Sequence, residues 1–106
     1  MPKLGFNLLA WTASISDAYF PHIERLKKIG YDGIEIMGSE GYLLNQFLTV
    51  RGNERDDQWG GDFERRMRFP LEVVRRIRAR VGTNFIIVYR LMIIDYCFVE
   101  QFFSKQ

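Results

Sequence analysis

The sequence predicts an α/β protein that amounts to about half of a parallel β/α barrel of the TIM type. Apolar segments near residues 4–10, 33–37 and 85–91 predict strands, and amphipathic segments near 17–29 and 63–81 predict the helices between them. The order strand, helix, strand predicts parallel pairing with right-handed crossover connections. A closed barrel needs roughly 250 residues, and this chain has 106. We therefore expect an incomplete barrel with an open sheet edge.

Short local signals predict the first strand and the first helix. Residues 4–10 are mostly apolar and lead into a Thr/Ser-rich turn, as at the end of a buried strand. Ser16 is a typical N-cap and Asp17 favours the positive end of the helix dipole, so a helix should start near residue 17. Gly30 can take the left-handed position that ends it. The apolar face is formed by Phe20, Ile23, Leu26 and Ile29.

A long loop is predicted between the second strand and the second helix. Residues 38–61 show no sustained period, apart from one short helix at Leu43 to Leu48. Long loops inside compact α/β domains are usually functional. Asp62 can cap the second helix, Gly82 can end it, and Pro70 is expected to kink or divide it. Its apolar stripe would be Leu71, Val74, Ile77 and Val81.

The sequence predicts the third strand clearly but predicts no element at the end of the chain. Residues 85–91 are nearly all apolar, which is typical of a parallel strand buried on both faces. The stretch 92–106 carries no clear cap or turn signal and stays unassigned.

Composition limits the class of protein. The chain is 47% hydrophobic and 26% charged, as in ordinary globular domains. A net charge of +2 gives no basic surface for nucleic acid, and no segment approaches the ~20 apolar residues that span a bilayer. The single cysteine, Cys97, excludes an internal disulfide and a four-cysteine iron–sulfur or zinc site within the chain. We expect a cytoplasmic protein without a membrane or nucleic-acid partner.

Candidate functional residues follow the predicted strands, because reactive groups in parallel barrels gather at the strands' carboxyl ends. Trp11 follows the first strand, Glu40 and Tyr42 follow the second, and Arg90 lies near the end of the third. Tyr42 is either a half-buried loop anchor or a phenolic proton donor. His22 lies on a helix, where an exposed role is more common than metal binding.

Arg90 needs an acceptor because it lies in an apolar strand and cannot be deprotonated. The acceptor is either a structural carboxylate, with Glu35 and Asp95 as the candidates, or the edge of an anionic ligand. Cys97 has no nearby histidine or helix start to lower its thiol pKa, so we expect it to be inert.

Three ordered motifs fill the chain from Asp32 to about Leu91. They are DGIEIMGSEGYLLNQF, RGNERDDQWGGDFERRMRFPLEVVRRIRARVG and FIIVYRL. Together they resemble the Old Yellow Enzyme family, and within it the 2,4-dienoyl-CoA reductase branch of NADH:flavin oxidoreductases. The resemblance implies the fourth strand, the loop and helix after it, and the fifth strand of an FMN-binding barrel. The implied reaction is the NAD(P)H-driven reduction of an activated C=C bond.

The resemblance also implies roles for particular residues. Tyr42 matches the tyrosine that protonates the substrate α-carbon after hydride delivery to the β-carbon, and Arg90 matches the arginine at the flavin pyrimidine edge. Met37 and Glu40 stand where another branch has His and Asn. A hydrogen-bonded loop scaffold with glycine turns is implied for Arg51, Asn53, Arg55, Asp57, Trp59, Gly60 and Gly61.

Other features of the family have no counterpart here. The flavin phosphate site comes from later strands, and the cysteines of the branch's iron–sulfur cluster are missing. We therefore expect this chain to bind FMN weakly or not at all, without an iron–sulfur cluster or metal.

The first part of the chain resembles a different family. Residues 4–36, LGFNLLAWTASISDAYFPHIERLKKIGYDGIEI, resemble the opening strand, helix and strand of sugar isomerase and epimerase barrels, whose metal ligands come from later strands. The chain then looks like a chimera, which could be a design, a recombined gene or a fragment, with an epimerase-like segment 1–37, a flavin-barrel-like segment 33–95 and an unassigned tail 96–106 in one incomplete barrel unit. We expect no activity from it alone, and association of copies through the open barrel edges.

Overall fold

The computed structural model describes residues 2–10 and 16–91. Two short 3-10 turns, Leu8–Ala10 and Asp17–Tyr19, accompany the main elements. In chain order the main elements are β1 (Gly5–Asn7), α1 (Phe20–Lys28), β2 (Gly33–Gly38), α2 (Leu43–Leu48), α3 (Phe63–Val81) and β3 (Ile86–Leu91). Trp11, Asp95, Cys97 and the tail 96–106 lie outside the described residues.

The described strands form one parallel sheet in the order β1-β2-β3. Gly5 pairs with Gly33 across β1 and β2, and Met37 pairs with Arg90 across β2 and β3. A methyl group on Gly33 would lie 2.5 Å from the carbonyl oxygen of Ile86, so this close strand approach requires glycine. The predicted α/β architecture with three parallel strands is confirmed, and it is consistent with a partial barrel.

Both long helices pack on one face of the sheet. Phe20, Ile23 and Leu26 of α1 and Val73, Ile77 and Val81 of α3 are buried against Ile34 and Ile36 of β2. The other face is open, and Ile86 and Val88 are 42% and 50% exposed there. The expectation that the third strand is buried on both faces is therefore wrong for the described chain, because no described element covers this second face.

The boundaries of α3 follow its capping residues. The Asp62 carboxylate accepts a hydrogen bond from the Arg65 amide at 2.9 Å, and Gly82 follows the helix with a φ of 76°. Pro70 lies inside the helix and does not divide it, so this part of the expectation is wrong. Proline removes one backbone hydrogen bond, but Pro70 is buried on the face of α3 that also carries Val73 and Ile77, and packing of this face keeps the helix continuous.

The buried stripe of α3 is shifted from the predicted one. Pro70 and Val73 are buried together with Ile77 and Val81, whereas Leu71 is 57% exposed. Apolar residues spaced by three and four positions allow either the predicted stripe with Leu71 or the observed stripe with Val73 to face the core. Only the packing of α3 against α1 and the sheet decides between the two stripes.

The first strand and the first helix are both shorter than predicted. The Asn7 side chain accepts a hydrogen bond from the Leu9 amide at 2.8 Å, and this local turn ends β1 before residues 8–10. Ser16 makes no side-chain capping bond, and Asp17–Tyr19 is a 3-10 turn. The α-helix begins beside Pro21, which suits a first helical turn. Ile29 lies beyond the helix and is 66% exposed.

Candidate functional site

The two sequence-predicted site residues lie at the same edge of the sheet. Gly38 ends β2 and pairs with Leu91, which ends β3, so the strands finish together. Arg90 lies one residue before the end of β3, and Tyr42 lies four residues after the end of β2. The structure therefore brings both residues to the carboxyl edge, where parallel sheets usually bind ligands.

Arg90 lies on the open face of the sheet and is paired with Glu35. Its Nε donates a hydrogen bond to Glu35 Oε1 at 2.6 Å, and the side chains are 55% and 25% exposed, respectively. The hydrogen bond to Glu35, followed by the charges of Glu35 and Glu40, raises the pKa of Arg90 above its ordinary value. Of the two carboxylates expected from the sequence, Glu35 is thus the observed partner, and the guanidinium is a permanent cation.

The ion pair leaves much of the guanidinium available. Arginine has five N–H donors, and the bond to Glu35 uses the one on Nε. The terminal nitrogens Nη1 and Nη2 can therefore bind an acceptor while Glu35 holds the side chain.

A strained turn carries Tyr42 away from the end of β2. Glu40 and Gly41 have φ values of 59° and 77°, and Tyr42 is the half-buried N-cap of α2. The Asn45 Oδ1 accepts a hydrogen bond from the Gly41 amide at 2.9 Å, and the Gln46 Nε2 donates one to the Gly41 carbonyl at 2.8 Å. The amide and the carbonyl of Gly41 are thus both held by side chains of α2, the helix whose N-cap is Tyr42.

Sequence reasoning missed Asn45 and Gln46 as the residues that fix this turn. Their only signal is an adjacent pair of amide side chains in the first turn of a short helix. Such residues often bond nearby backbone groups, but the sequence alone does not identify Gly41 as their partner.

Asn53 holds the long loop between α2 and α3. Its Nδ2 donates to the carbonyl oxygens of Phe47 and Trp59 at 2.8 and 2.7 Å, and its Oδ1 accepts from the Arg55 amide at 3.2 Å. The residue is only 8% exposed. The scaffold role implied by the family resemblance is present in the structure.

A second set of contacts braces the same loop. Arg55 Nε donates to both carboxylate oxygens of Asp57 at 3.1 Å, and Asp57 Oδ1 accepts from the Trp59 amide at 3.0 Å. The bond from Arg55, then the bond from Trp59, lowers the pKa of Asp57. A methyl group on Gly60 would collide with the Arg55 carbonyl, so this position requires glycine.

Three buried polar atoms lie near the carboxyl edge on the side of the helices. The Ser39 Oγ, Asn45 Nδ2 and Tyr89 hydroxyl have no hydrogen-bond partner within residues 2–10 and 16–91. Burial raises the pKa of Tyr89 to about 12, which disfavours its phenolate. Tyr89 pairs with Ile36 and packs against Gly38, on the side of the sheet opposite Arg90.

The remaining candidates give no metal site in the described chain. His22 lies on α1, with its ring 6.2 Å from that of Tyr19. Within the two described ranges, no three His, Cys, Asp or Glu side chains are grouped so that they could hold a metal ion. The same ranges contain no helix with the length and apolar content needed to cross a bilayer.

The described chain is an α/β unit of three parallel strands, consistent with part of a β/α barrel, with Arg90 and the Tyr42 turn at the strands' carboxyl ends. Residues 13–105 match the family described as NADH:flavin oxidoreductase / NADH oxidase. The chain belongs to this family, and its likeness to the Old Yellow Enzymes is confirmed. The match extends beyond 32–91 on both sides and includes residues 13–36, most of the segment for which a sugar isomerase origin was expected.

Individual relatives agree with the family match. The NADH oxidase of Thermoanaerobacter brockii is 53% identical over 66 residues, which cover 62% of this chain and 10% of that protein. Putative 12-oxophytodienoate reductase 4 of Oryza sativa subsp. japonica is 45% identical over 67 residues, 63% of this chain and 18% of that protein. Morphinone reductase in complex with tetrahydroNAD superposes with a TM-score of 0.60 at 34% identity, covering 74% of this chain and 23% of that one.

These matches cover a small part of each relative. The chain spans between 10% and 12% of the length of three curated relatives, including the NADH oxidase. The barrel segment is therefore shared, whereas most of each relative lies outside the comparison.

The open-face residues fit one edge of the flavin that the family binds. A reduced flavin ring carries negative charge at its pyrimidine edge, and Arg90 offers a permanent cation with available N–H donors on the open face. Glu35 holds the arginine through Nε rather than through the two terminal nitrogens. Arg90 therefore fits one edge of such a ring, and a single arginine supplies only a fraction of the contacts that a flavin needs.

Proposed function

We propose that this chain is the strand–loop–helix–strand segment of an FMN-dependent ene-reductase barrel. Arg90 contacts the flavin pyrimidine edge, and Tyr42 donates a proton to the substrate. The observation that supports this most strongly is the common edge, because β2 and β3 end in register with Arg90 on one strand and the Tyr42 turn on the other. The family match and the ene-reductase relatives support the same class of reaction.

Arg90 acts by electrostatics. Its charge stabilises negative charge on the ring, and a fixed cation in a partly enclosed site achieves this without rearrangement during the reaction. Glu35 is the residue that orients it, since the bond from Nε fixes one edge of the guanidinium.

Tyr42 acts as a general acid. FMN, when bound, supplies the hydride to the β-carbon of an activated C=C bond. The Tyr42 phenol supplies the proton to the α-carbon, and it can do so from a fixed position because Asn45 and Gln46 hold the preceding peptide. The reaction then adds one hydride and one proton across the double bond.

The chain alone is proposed to be inactive and to bind FMN weakly or not at all. One arginine and one pair of strand ends supply only a fraction of the contacts that a cofactor of this size needs. Titration of FMN with the chain, followed by flavin fluorescence, tests this. We expect no saturation in the low-micromolar range, and saturable binding there or tighter would show that the chain holds FMN by itself.

The role of Tyr42 is tested in a completed barrel. We define the grafted barrel as the T. brockii NADH oxidase in which residues 32–91 of this chain replace the matching segment. Tyr42→Phe should slow alkene reduction by about 10²–10⁴-fold, as expected for loss of a general acid, with FMN affinity unchanged. Tyr89→Phe, in the same grafted segment but on the helix side of the sheet, is the matched control. Equal rates for the Tyr42 variant and the control would exclude Tyr42 as the proton donor.

A second candidate function is a non-catalytic half-barrel that pairs with another copy of itself. The open face favours it, because Leu4, Ile86 and Val88 are 55%, 42% and 50% exposed on or beside this sheet. The copies would meet through the open edges of the sheet, and a lysine on β3, an edge strand of the described sheet, should disrupt pairing. We expect a dimer by native mass spectrometry that Val88→Lys converts to monomer and Val50→Lys, in the exposed loop, does not. A monomer at every concentration would rule this function out.

The origin of the first segment is a separate proposal. It gives an epimerase-like origin to residues 1–37, with 33–95 from a flavin barrel and 96–106 as a tail, and it rests on the sequence resemblance, because a β1–α1–β2 unit occurs in both kinds of barrel. We also propose, separately, that the protein is cytoplasmic. Ketose epimerisation that depends on a divalent metal would favour an epimerase function, and its absence would leave the flavin-barrel function as the better description.

A further inference from the structure

A cavity of about 420 Å³ lies between the start of α1, the α2–α3 loop and α3. Five apolar residues form its floor and walls: Phe20, Phe47, Trp59, Phe69 and Val73. The cavity is on the helix side of the sheet, since Phe20 and Val73 belong to the core that covers this face. It is therefore separate from the open face that carries Arg90, and Tyr42 does not line it.

Aromatic rings in contact with one another form the walls of the cavity. The rings of Phe47 and Phe69 are stacked, with centroids 4.2 Å apart and planes inclined by 23°. Trp59 meets Phe69 edge-on at 6.2 Å and 89°. Flat faces and edges of this kind favour a planar aromatic guest, which gains from stacked and edge-to-face contacts beyond simple burial.

The rim of the cavity carries balanced charges. Arg76 donates to Glu72 at 2.8 Å and to Asp17 at 3.3 Å, and Arg55 is paired with Asp57. Bonds from Arg75 and then Arg76 lower the pKa of Glu72 to about 2, so these pairs stay ionised at neutral pH. A charged guest would have to disturb an existing pair or be buried without a partner, and both are unfavourable.

We propose that this cavity is a binding site for a neutral, planar aromatic molecule of two or three rings. Its volume lies within the range of about 300–1,000 Å³ that is typical of small-molecule sites. Neither FMN binding nor the roles of Arg90 and Tyr42 are needed for it, so failure of this site would leave the proposed function unaffected.

Two fluorescent probes with the same ring skeleton test the ligand class on the whole chain. N-phenyl-1-naphthylamine is neutral, and 8-anilinonaphthalene-1-sulfonate adds one negative charge. We expect saturable binding of the neutral probe at one site per chain. The sulfonate should bind about tenfold weaker, because the paired rim does not neutralise it. Absence of saturable binding by the neutral probe, or equal affinity for both probes, would overturn the proposal.

Substitutions at the mouth and the wall locate the probe. Ser16→Phe narrows the mouth at little cost to the fold, because the Ser16 side chain makes no capping bond. Phe69→Ala removes a wall. Phe63→Ala, on the same helix but 63% exposed and outside the lining, is the control.

The two cavity variants should weaken binding of the neutral probe by about tenfold, which corresponds to roughly 1.4 kcal/mol, and Phe63→Ala should not change it. Circular dichroism identifies the variants that fold. If Phe69→Ala does not fold, Ser16→Phe decides the question alone. Unchanged affinity in folded Ser16→Phe would place the probe elsewhere, for example on the open sheet face, and would overturn the proposal.

Discussion

Replacing Asn53 by alanine should remove the main support of the α2–α3 loop. The variant loses two hydrogen bonds to the carbonyls of Phe47 and Trp59 and one from the Arg55 amide. Each contributes a net ~0.5–1.5 kcal/mol, and the two carbonyls lose their donor in a largely buried place. We expect the free energy of unfolding to fall by about 2–4 kcal/mol, a large share of a typical domain's stability.

Urea denaturation followed by circular dichroism measures this change. Gln58→Ala is the matched control, since it removes an exposed amide side chain from the same loop and should change stability by less than about 0.5 kcal/mol. Asn53→Asp adds a second comparison, because it keeps the acceptor for Arg55 but loses both donors. A loss for Asn53→Ala no larger than that of the control, or Asn53→Asp as stable as the wild type, would refute the role of Asn53.

Three further substitutions test other parts of the structure. Glu72→Gln should lower the free energy of unfolding at neutral pH but not at low pH. The pKa of Glu72 is lowered from 4.5 to about 2 in the folded chain, so the ionised carboxylate stabilises the fold above pH 4.5, and this stabilisation is lost as the pH falls from 4.5 to about 2. Urea titrations in steps of pH measure this, and a constant difference from wild type down to the low end would contradict it. Tyr89→Phe removes a buried hydroxyl that has no partner within residues 2–10 and 16–91, so melting should show stability unchanged or raised by up to about 1 kcal/mol; a marked loss would reveal a missed hydrogen bond. Gly60→Ala should destabilise by about 1–3 kcal/mol through collision with the Arg55 carbonyl. Gly5→Ala, where a methyl would meet its nearest neighbour at 3.8 Å, is its control, and equal melting temperatures for the two would show that the loop adapts.

Elements with complete local signals were predicted well from the sequence. The Asp62 cap and the Gly82 end fixed the bounds of α3, and α2 has the predicted range Leu43–Leu48. The α3 signals work because its capping groups bond to backbone within three or four residues, so no distant contact is needed. The N-cap of α2, Tyr42, makes no side-chain capping bond, so capping does not explain the range of that helix.

Features that depend on distant contacts could not be predicted in the same way. Pro70 does not break α3 because tertiary packing outweighs one lost hydrogen bond, and the choice between Leu71 and Val73 as the buried residue depends on where α1 lies. Similarly, Glu35 and Arg90 are 55 positions apart, and only the strand register brings them together. The sequence could name the candidate partners of Arg90 but could not choose between them.

The most direct test of the central claim is the FMN affinity of the grafted barrel with Arg90→Ala, measured beside its melting curve. Arg75→Ala is the control, because it also removes an exposed arginine from an ion pair but lies on α3. If Arg90 contacts the flavin, its removal should weaken FMN binding by about tenfold to a hundredfold, as expected for a charged hydrogen bond, and melting should match the control. Unchanged FMN affinity together with much earlier melting would contradict the claim and would show that Arg90 serves only to hold Glu35 in the sheet.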